Sequence, residues 1–127
     1  MRRALPCLLV MVLAPVAARG ALPTAIGHCV RTKVAHVMQR LEDGQTHRAI
    51  PGSGSAIEFS NGGYQVSYDE VPAVNGARPG DPVVMCLVSI PRHCPKGDDR
   101  GRIYTSVDLR SLQIWTLPDA EHACGGA

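Results

Sequence analysis

Cysteine count and placement limit this chain more than any other feature. Five cysteines, Cys7, Cys29, Cys86, Cys94 and Cys124, occur in 127 residues. The first lies in an apolar run, Ala4 to Val16, that follows a basic start, Met1-Arg2-Arg3, and precedes the small residues Ala17 and Ala18. A charged start, an apolar middle and a small-residue end are the parts of a secretory signal. The run is shorter than the roughly 20 residues that span a bilayer, which argues against a retained anchor. Cleavage is expected after Ala18, with Gly20 and Ala21 as alternatives. A lipid anchor is not expected, because bulky His28 precedes Cys29. Cys7 leaves with the signal, residues 1–18. Residues 19–127 then form one small domain with four cysteines, and an even count in an exported domain points to two disulfides. The expected location is periplasmic or secreted.

Charge narrows the partners. The chain has 13 Lys+Arg and 11 Asp+Glu, and loss of Arg2 and Arg3 leaves 11 of each. A neutral domain with scattered cations lacks the clustered basic surface that nucleic acid or an anionic membrane requires. No nucleic acid, and no membrane after signal cleavage, is expected as a partner. A cell-envelope protein or a small ligand is.

Gly and Pro punctuate short apolar segments along the whole chain, the pattern of an all-β domain. Val30, Thr32, Val34, His36 and Met38 alternate with Arg31, Lys33, Ala35, Val37 and Gln39, which predicts a strand from Cys29 to about Leu41, with a helix over Val34 to Leu41 as the alternative. Glu42-Asp43-Gly44-Gln45 predicts a turn and Thr46 to Ile50 a short return strand. Ala56 to Ser60 and Tyr64 to Tyr68 flank Asn61-Gly62-Gly63, a hairpin with a type I′ turn at Asn-Gly. Asp69 to Arg78 reads as loop. Pro82 to Ile90 is apolar on both faces, which predicts a central strand covered on both sides, ended by Pro91. Arg102 to Val107 and Leu112 to Leu117 predict a second hairpin. The fold class is mainly β: a small antiparallel barrel or sandwich of six to seven strands, OB-like or SH3-like, with two disulfides.

Sequence alone leaves three cysteine pairings open. The second hairpin returns the chain after Leu117 towards the loop that carries Cys94, which favours Cys94 with Cys124 and leaves Cys29 with Cys86. That geometry also gathers His93 and His122 near two sulfurs, and two Cys with two His is the ligand set of a tetrahedral zinc site. The spacings match no familiar zinc motif, and thiols pair first in an oxidising compartment. No metal and no cofactor is therefore expected, with a periplasmic metal-binding protein as an alternative function.

Catalytic motifs are not evident. Gly52-Ser53-Gly54-Ser55 departs from the Gly-x-Ser-x-Gly nucleophile elbow, and no strand-to-helix turn surrounds it. Asp119 and His122 lack a matching nucleophile. Asp98, Asp99 and Asp108 lack the spacing of a calcium loop. His36 and His47 stand alone, and Trp115 reads as core. A non-enzymatic binding domain is expected, with loops 51–55 and 92–101 as its contact surface, because binding residues favour loops on a rigid scaffold. Ser53, Ser55, Arg100 and Arg102 are its candidate binding residues.

Gly52 to Tyr68, Gly80-Asp81, Cys86 to Pro91, Cys94-Pro95, Gly97 to Arg102, Trp115 to Asp119 and Cys124 to Gly126 together resemble an uncharacterised family of small exported proteobacterial proteins. That resemblance covers most of residues 19–127 and implies no activity. Gly52 to Phe59 is also similar to the Ser-Gly-Ser-Gly-Ala-x-Tyr-like loop that periplasmic lysozyme inhibitors of the small β-barrel type insert into the lysozyme cleft. Here the aromatic is Phe59 and the pattern that follows in the inhibitors is missing. A lysozyme-inhibitor-like protein is what this second resemblance implies.

Overall fold

The computed structural model describes residues 20–126, so the expected signal, residues 1–18 with Cys7, lies outside the described residues. Six antiparallel strands form one sheet: β1 Cys29–Gln39, β2 Ser55–Phe59, β3 Tyr64–Val66, β4 Pro82–Ser89, β5 Ile103–Asp108 and β6 Ile114–Pro118. Their order across the sheet is β3-β2-β1-β4-β5-β6, and the sheet curls into a half-barrel. The mainly β fold expected from the sequence is what forms. Among the described residues no helix is long and apolar enough to cross a membrane.

The concave side holds the core. Val34, Ile57, Phe59, Val83, Met85, Leu87, Tyr104 and Trp115 meet there, and the partly buried Leu22 and Val30 pack against them. A single helical turn, α1 Pro72–Asn75, supplies Val74, and Ala77 follows it into the same cluster. This turn replaces part of the loop expected over Asp69 to Arg78. Pro72 opens it without needing its missing N–H, and four residues are too few to show helical periodicity in sequence.

Three local departures set which side chains face inward. First, β1 carries an irregularity between Val34 and His36 in its pairing with β2. An extra residue reverses the alternation, so Val34 points into the core and Val37, not His36, joins it further on. Second, the β2–β3 hairpin closes through Ser60-Asn61-Gly62 and not through a two-residue Asn-Gly turn. The Gly62 N–H donates to the Phe59 carbonyl at 3.0 Å and the Phe59 N–H to the Gly63 carbonyl at 2.9 Å. Gly62 takes φ of 85° while Asn61 does not enter the left-handed region. This is the type I turn followed by a left-handed residue that three-residue loops adopt. The one-residue difference in loop length flips β3. Ile57 therefore faces Gln65, and Val66 faces Ala56. Third, Thr46 to Ile50 forms no strand. A lone bridge joins Glu42 to Ala49, and the Asp43 carboxylate organises the turn by accepting the Gln45 and Thr46 N–H groups.

Gln65 consequently stands fully buried in an apolar core with every polar group partnered. Its amide N–H₂ donates to the Tyr104 carbonyl at 2.7 Å and the Leu117 carbonyl at 3.1 Å. Its oxygen accepts from the Ser106 hydroxyl at 2.7 Å and the Trp115 indole at 2.9 Å. β3 and β6 are the two edges of the sheet, so this one amide ties the edges of the half-barrel to each other.

Candidate interaction surface

The four sulfurs pair as Cys29–Cys86 and Cys94–Cys124, the pairing that the second hairpin favours. Cys29 and Cys86 sit directly opposite on β1 and β4. Cys94–Cys124 fastens the tail to the loop before β5. The tail is further held by the Cys124 N–H, which donates to the Arg100 carbonyl at 2.8 Å, and by the Gly101 N–H, which donates to Asp119 Oδ1 at 2.7 Å.

Loops 51–55 and 92–101 are both anchored to that tail. Arg40, just after β1, donates from Nε to the Ser53 carbonyl at 2.6 Å and from Nη1 to Glu121 at 3.2 Å. Its guanidinium lies 4.4 Å from the centre of the Tyr68 ring, whose hydroxyl reaches the Glu121 carbonyl. His122 packs at a tilt beside Tyr68. The Ser53 hydroxyl accepts the Leu41 N–H, which leaves the loop braced from two sides. Ser55 is fully buried: its hydroxyl accepts the Val71 N–H at 2.8 Å and donates to Asn75 Oδ1 at 2.7 Å. It holds α1 in place and does not reach solvent. Gly54 takes φ of 116°, and a Cβ there would run into the Ser67 and Tyr68 carbonyls.

The predicted arginines are also engaged internally. Arg100 donates to both oxygens of Asp98 at 2.9 Å and reaches the Gly126 carbonyl. The Arg100 guanidinium, together with the Gly125 N–H, holds the Asp98 carboxyl well below the ordinary range. Arg102 Nη2 lies 3.8 Å from Asp99. Gly97, Asp98, Asp99, Arg100 and Asp119 line an open hollow of about 380 Å³. Burial raises the Asp119 carboxyl there, against the Gly101 and Arg102 N–H groups.

The metal reading loses its thiolates, since all four sulfurs are oxidised. His93 and His122 are exposed, and among the described residues no group of three or more His, Cys, Asp or Glu could hold a metal ion. Asp119 and His122 make no hydrogen bond to each other among the described residues: Asp119 takes the Gly101 N–H and His122 lies on Tyr68.

The least satisfied surface is on the convex side of the sheet. β4 is central, as expected, and its core side is sealed: Val83, Met85 and Leu87 are fully buried. Its other side is only partly covered, with Val84 and Cys86 half-buried and Val88 exposed, where the doubly apolar sequence predicts full cover. Val84 pairs with Val107, which pairs with Ile114, and Arg31 ends that row on β1. The next row is Cys29, Cys86, Thr105 and Thr116, with the two threonine hydroxyls 2.7 Å apart. Val88 continues the outward alternation of Val84 and Cys86, at the point where the β4–β5 register shifts. Val88 is 42% exposed and Ile114 is 61% exposed. Leu112, two residues before Ile114, is 72% exposed and holds φ of 57°. Large apolar side chains that gather on one face, in place of being scattered, mark an interaction site.

Nothing in the sequence singled this face out, because an apolar strand reads the same whether its second side is covered or open. Ile114 and Thr116, alternating with Trp115 and Leu117, carried the only usable sign. Comparison with family models, with curated proteins and with solved structures finds no match to this chain.

Proposed function

We propose that the protein is a non-enzymatic binding module of the periplasm or extracellular space, and that it engages a protein of the cell envelope through the open face of β1, β4, β5 and β6. The observation that carries this reading is the row Val84, Val107 and Ile114, set outward on a sheet that the Cys29–Cys86 bridge fixes from the same side. A rigid platform loses little conformational entropy on binding, and its exposed apolar area has no role inside the monomer. The polar groups of loops 51–55 and 92–101 are largely consumed in holding those loops, so they frame the scaffold.

The test is a photo-crosslinking residue placed at Thr116 in the mature protein and exposed to envelope extract. A discrete adduct is expected that Ile114→Asp abolishes and that the same group at Glu42, on the far arm, does not form. Equal labelling from both positions overturns the reading.

A second reading, lysozyme inhibition, is favoured by Tyr68. It is 52% exposed beside the Gly52–Ser55 loop and is backed by Arg40. Inhibition of a purified lysozyme that Tyr68→Ala removes supports it; unchanged lysozyme activity at saturating protein rejects it.

A further inference from the structure

The open face is apolar, but its charge is one-sided. Arg31 stands opposite Val84 and Lys33 opposite Pro82, both exposed along the β1 flank. The ion pairs among the described residues are Arg40–Glu121, Arg100–Asp98, Arg102–Asp99 and Arg110–Asp81, so neither Arg31 nor Lys33 has a carboxylate partner there. The outward positions of β1, β4, β5 and β6 that pair across the face, from Cys29, Arg31 and Lys33 to Ile114, Thr116 and Pro118, include no Asp or Glu.

We infer that the occupant of this face is a protein segment that sets aliphatic or aromatic side chains against Val84, Val107 and Ile114 and places Asp or Glu against Arg31 and Lys33. This rests on the binding-module reading above. Any body that covers the Val84 row must also crowd the Arg31 flank. A neutral cover would strip water from two cations and return nothing. A carboxylate there restores the lost solvation, adds a charge-assisted hydrogen bond and steers the encounter. A second copy packed face to face brings the same two cations and no acid from that face, so symmetric self-association does not meet the requirement. An anionic membrane does supply negative charge, but two cations are fewer than the roughly four to eight that mark a lipid-binding cluster. A protein segment supplies both the apolar side chains and the carboxylates that this convex face calls for.

The probe is a display library of random twelve-residue peptides, selected on the full mature protein and on two variants, Ile114→Asp and Arg31→Glu with Lys33→Glu. All substituted positions are exposed, so the fold is expected to persist, and circular dichroism with a free-thiol count confirms this for each variant. Enriched peptides are expected to combine Leu, Ile, Phe or Trp with Asp or Glu. They should bind Ile114→Asp at least about tenfold more weakly. The double charge reversal should switch the preference from acidic to basic peptides. Enrichment of apolar peptides with no acidic bias, still lost on Ile114→Asp, overturns the acidic partner and leaves the face. Peptides indifferent to Ile114→Asp, or no enrichment, overturn both. Two further outcomes also overturn the inference. One is dimerisation in sedimentation that Ile114→Asp abolishes. The other is co-sedimentation with phosphatidylglycerol vesicles that the charge reversal abolishes.

Discussion

Replacing Gln65 by leucine tests whether the half-barrel is closed by one polar side chain. The substitution is close in volume and suits an apolar core, so packing alone predicts a small effect. Hydrogen bonding predicts a large one. A leucine side chain cannot accept, which strands the Trp115 indole N–H and the Ser106 hydroxyl inside the core. Each buried orphan costs about 1–3 kcal/mol. The Tyr104 and Leu117 carbonyls lose a donor, but these residues pair directly in the β5–β6 ladder, so each carbonyl keeps a backbone N–H and suffers less. Burying the extra apolar surface of leucine returns about 1 kcal/mol. The expected net loss is about 3 kcal/mol, a large share of a net stability on the order of 5–15 kcal/mol. Urea unfolding followed by far-ultraviolet circular dichroism, with both disulfides intact, measures it. The control repeats Gln65→Leu in a Ser106→Ala, Trp115→Phe background, where the two orphans no longer exist. There the loss should fall to about 1 kcal/mol or less. Equal losses in the two backgrounds, or a loss below about 1 kcal/mol in the native one, refute the closure argument.

The covalent framework and the acid side give two further expectations. Folded protein treated with an alkylating agent should gain no label at Cys29, Cys86, Cys94 or Cys124 by mass, and Cys94→Ser with Cys124→Ser, which opens a link between residues 30 apart, should cost about 3–4 kcal/mol in the same urea assay. The Arg110 guanidinium, which donates to Asp81 at 2.7 Å, holds the Asp81 carboxyl below its ordinary value. A folded pKa below the unfolded one stabilises above the unfolded value, near 4, and that contribution is lost as pH falls through the folded value. The stability difference between the native protein and Arg110→Met should therefore be largest at neutral pH and narrow below about pH 4 in acid titrations. It should not vanish, because Arg110 also donates to the Gly76 carbonyl at 3.0 Å whatever the pH.

Much of the fold was legible in the chain, and the misses share a cause. Alternation located β1, β2 and β3, an unbroken apolar run bounded by prolines located β4, and the hairpin pattern located β5 and β6. The disulfide pairing followed from one hairpin, since the return of β6 alongside β5 carries Cys124 to Cys94. What escaped was every feature that turns on a single residue. Asn61-Gly62-Gly63 is compatible with a two-residue or a three-residue loop, and only the choice between them decides whether Val66 or Gln65 stands opposite Ile57. The irregularity near Ala35 gave no sign, since alanine suits either side of a strand. α1 is one turn long. Among the candidate residues, Ser55 looks like a surface group in sequence yet is fully buried, its hydroxyl occupied by Val71 and Asn75, while Arg100 is exposed and engages Asp98. The open face was hidden by an assumption, that an apolar strand is a covered one.

Leu112 is where stability and contact come apart most sharply, and it can be tested directly. The β5–β6 connection ends with the Leu112 N–H donating to the Asp108 carbonyl at 2.8 Å, which demands a left-handed residue at this position. Leucine there crowds its own carbonyl and costs about 1–2 kcal/mol relative to ordinary backbone, a penalty that Asn or Gly largely avoids. The leucine side chain returns little, because 72% of it is exposed. The tip is nevertheless firmly built: Asp108 Oδ1 accepts the Arg110 and Ser111 N–H groups at 2.8 and 3.2 Å. Leu112→Asn should therefore stabilise the isolated protein by about 0.5–1 kcal/mol, read as a higher urea midpoint at unchanged slope. The same variant should weaken the crosslinked adduct at Thr116, because it removes apolar surface next to Ile114. If the midpoint falls or stays put, leucine is not strained at this turn. If the midpoint rises and the adduct is undiminished, the tip lies outside the contact, and the face ends at Ile114.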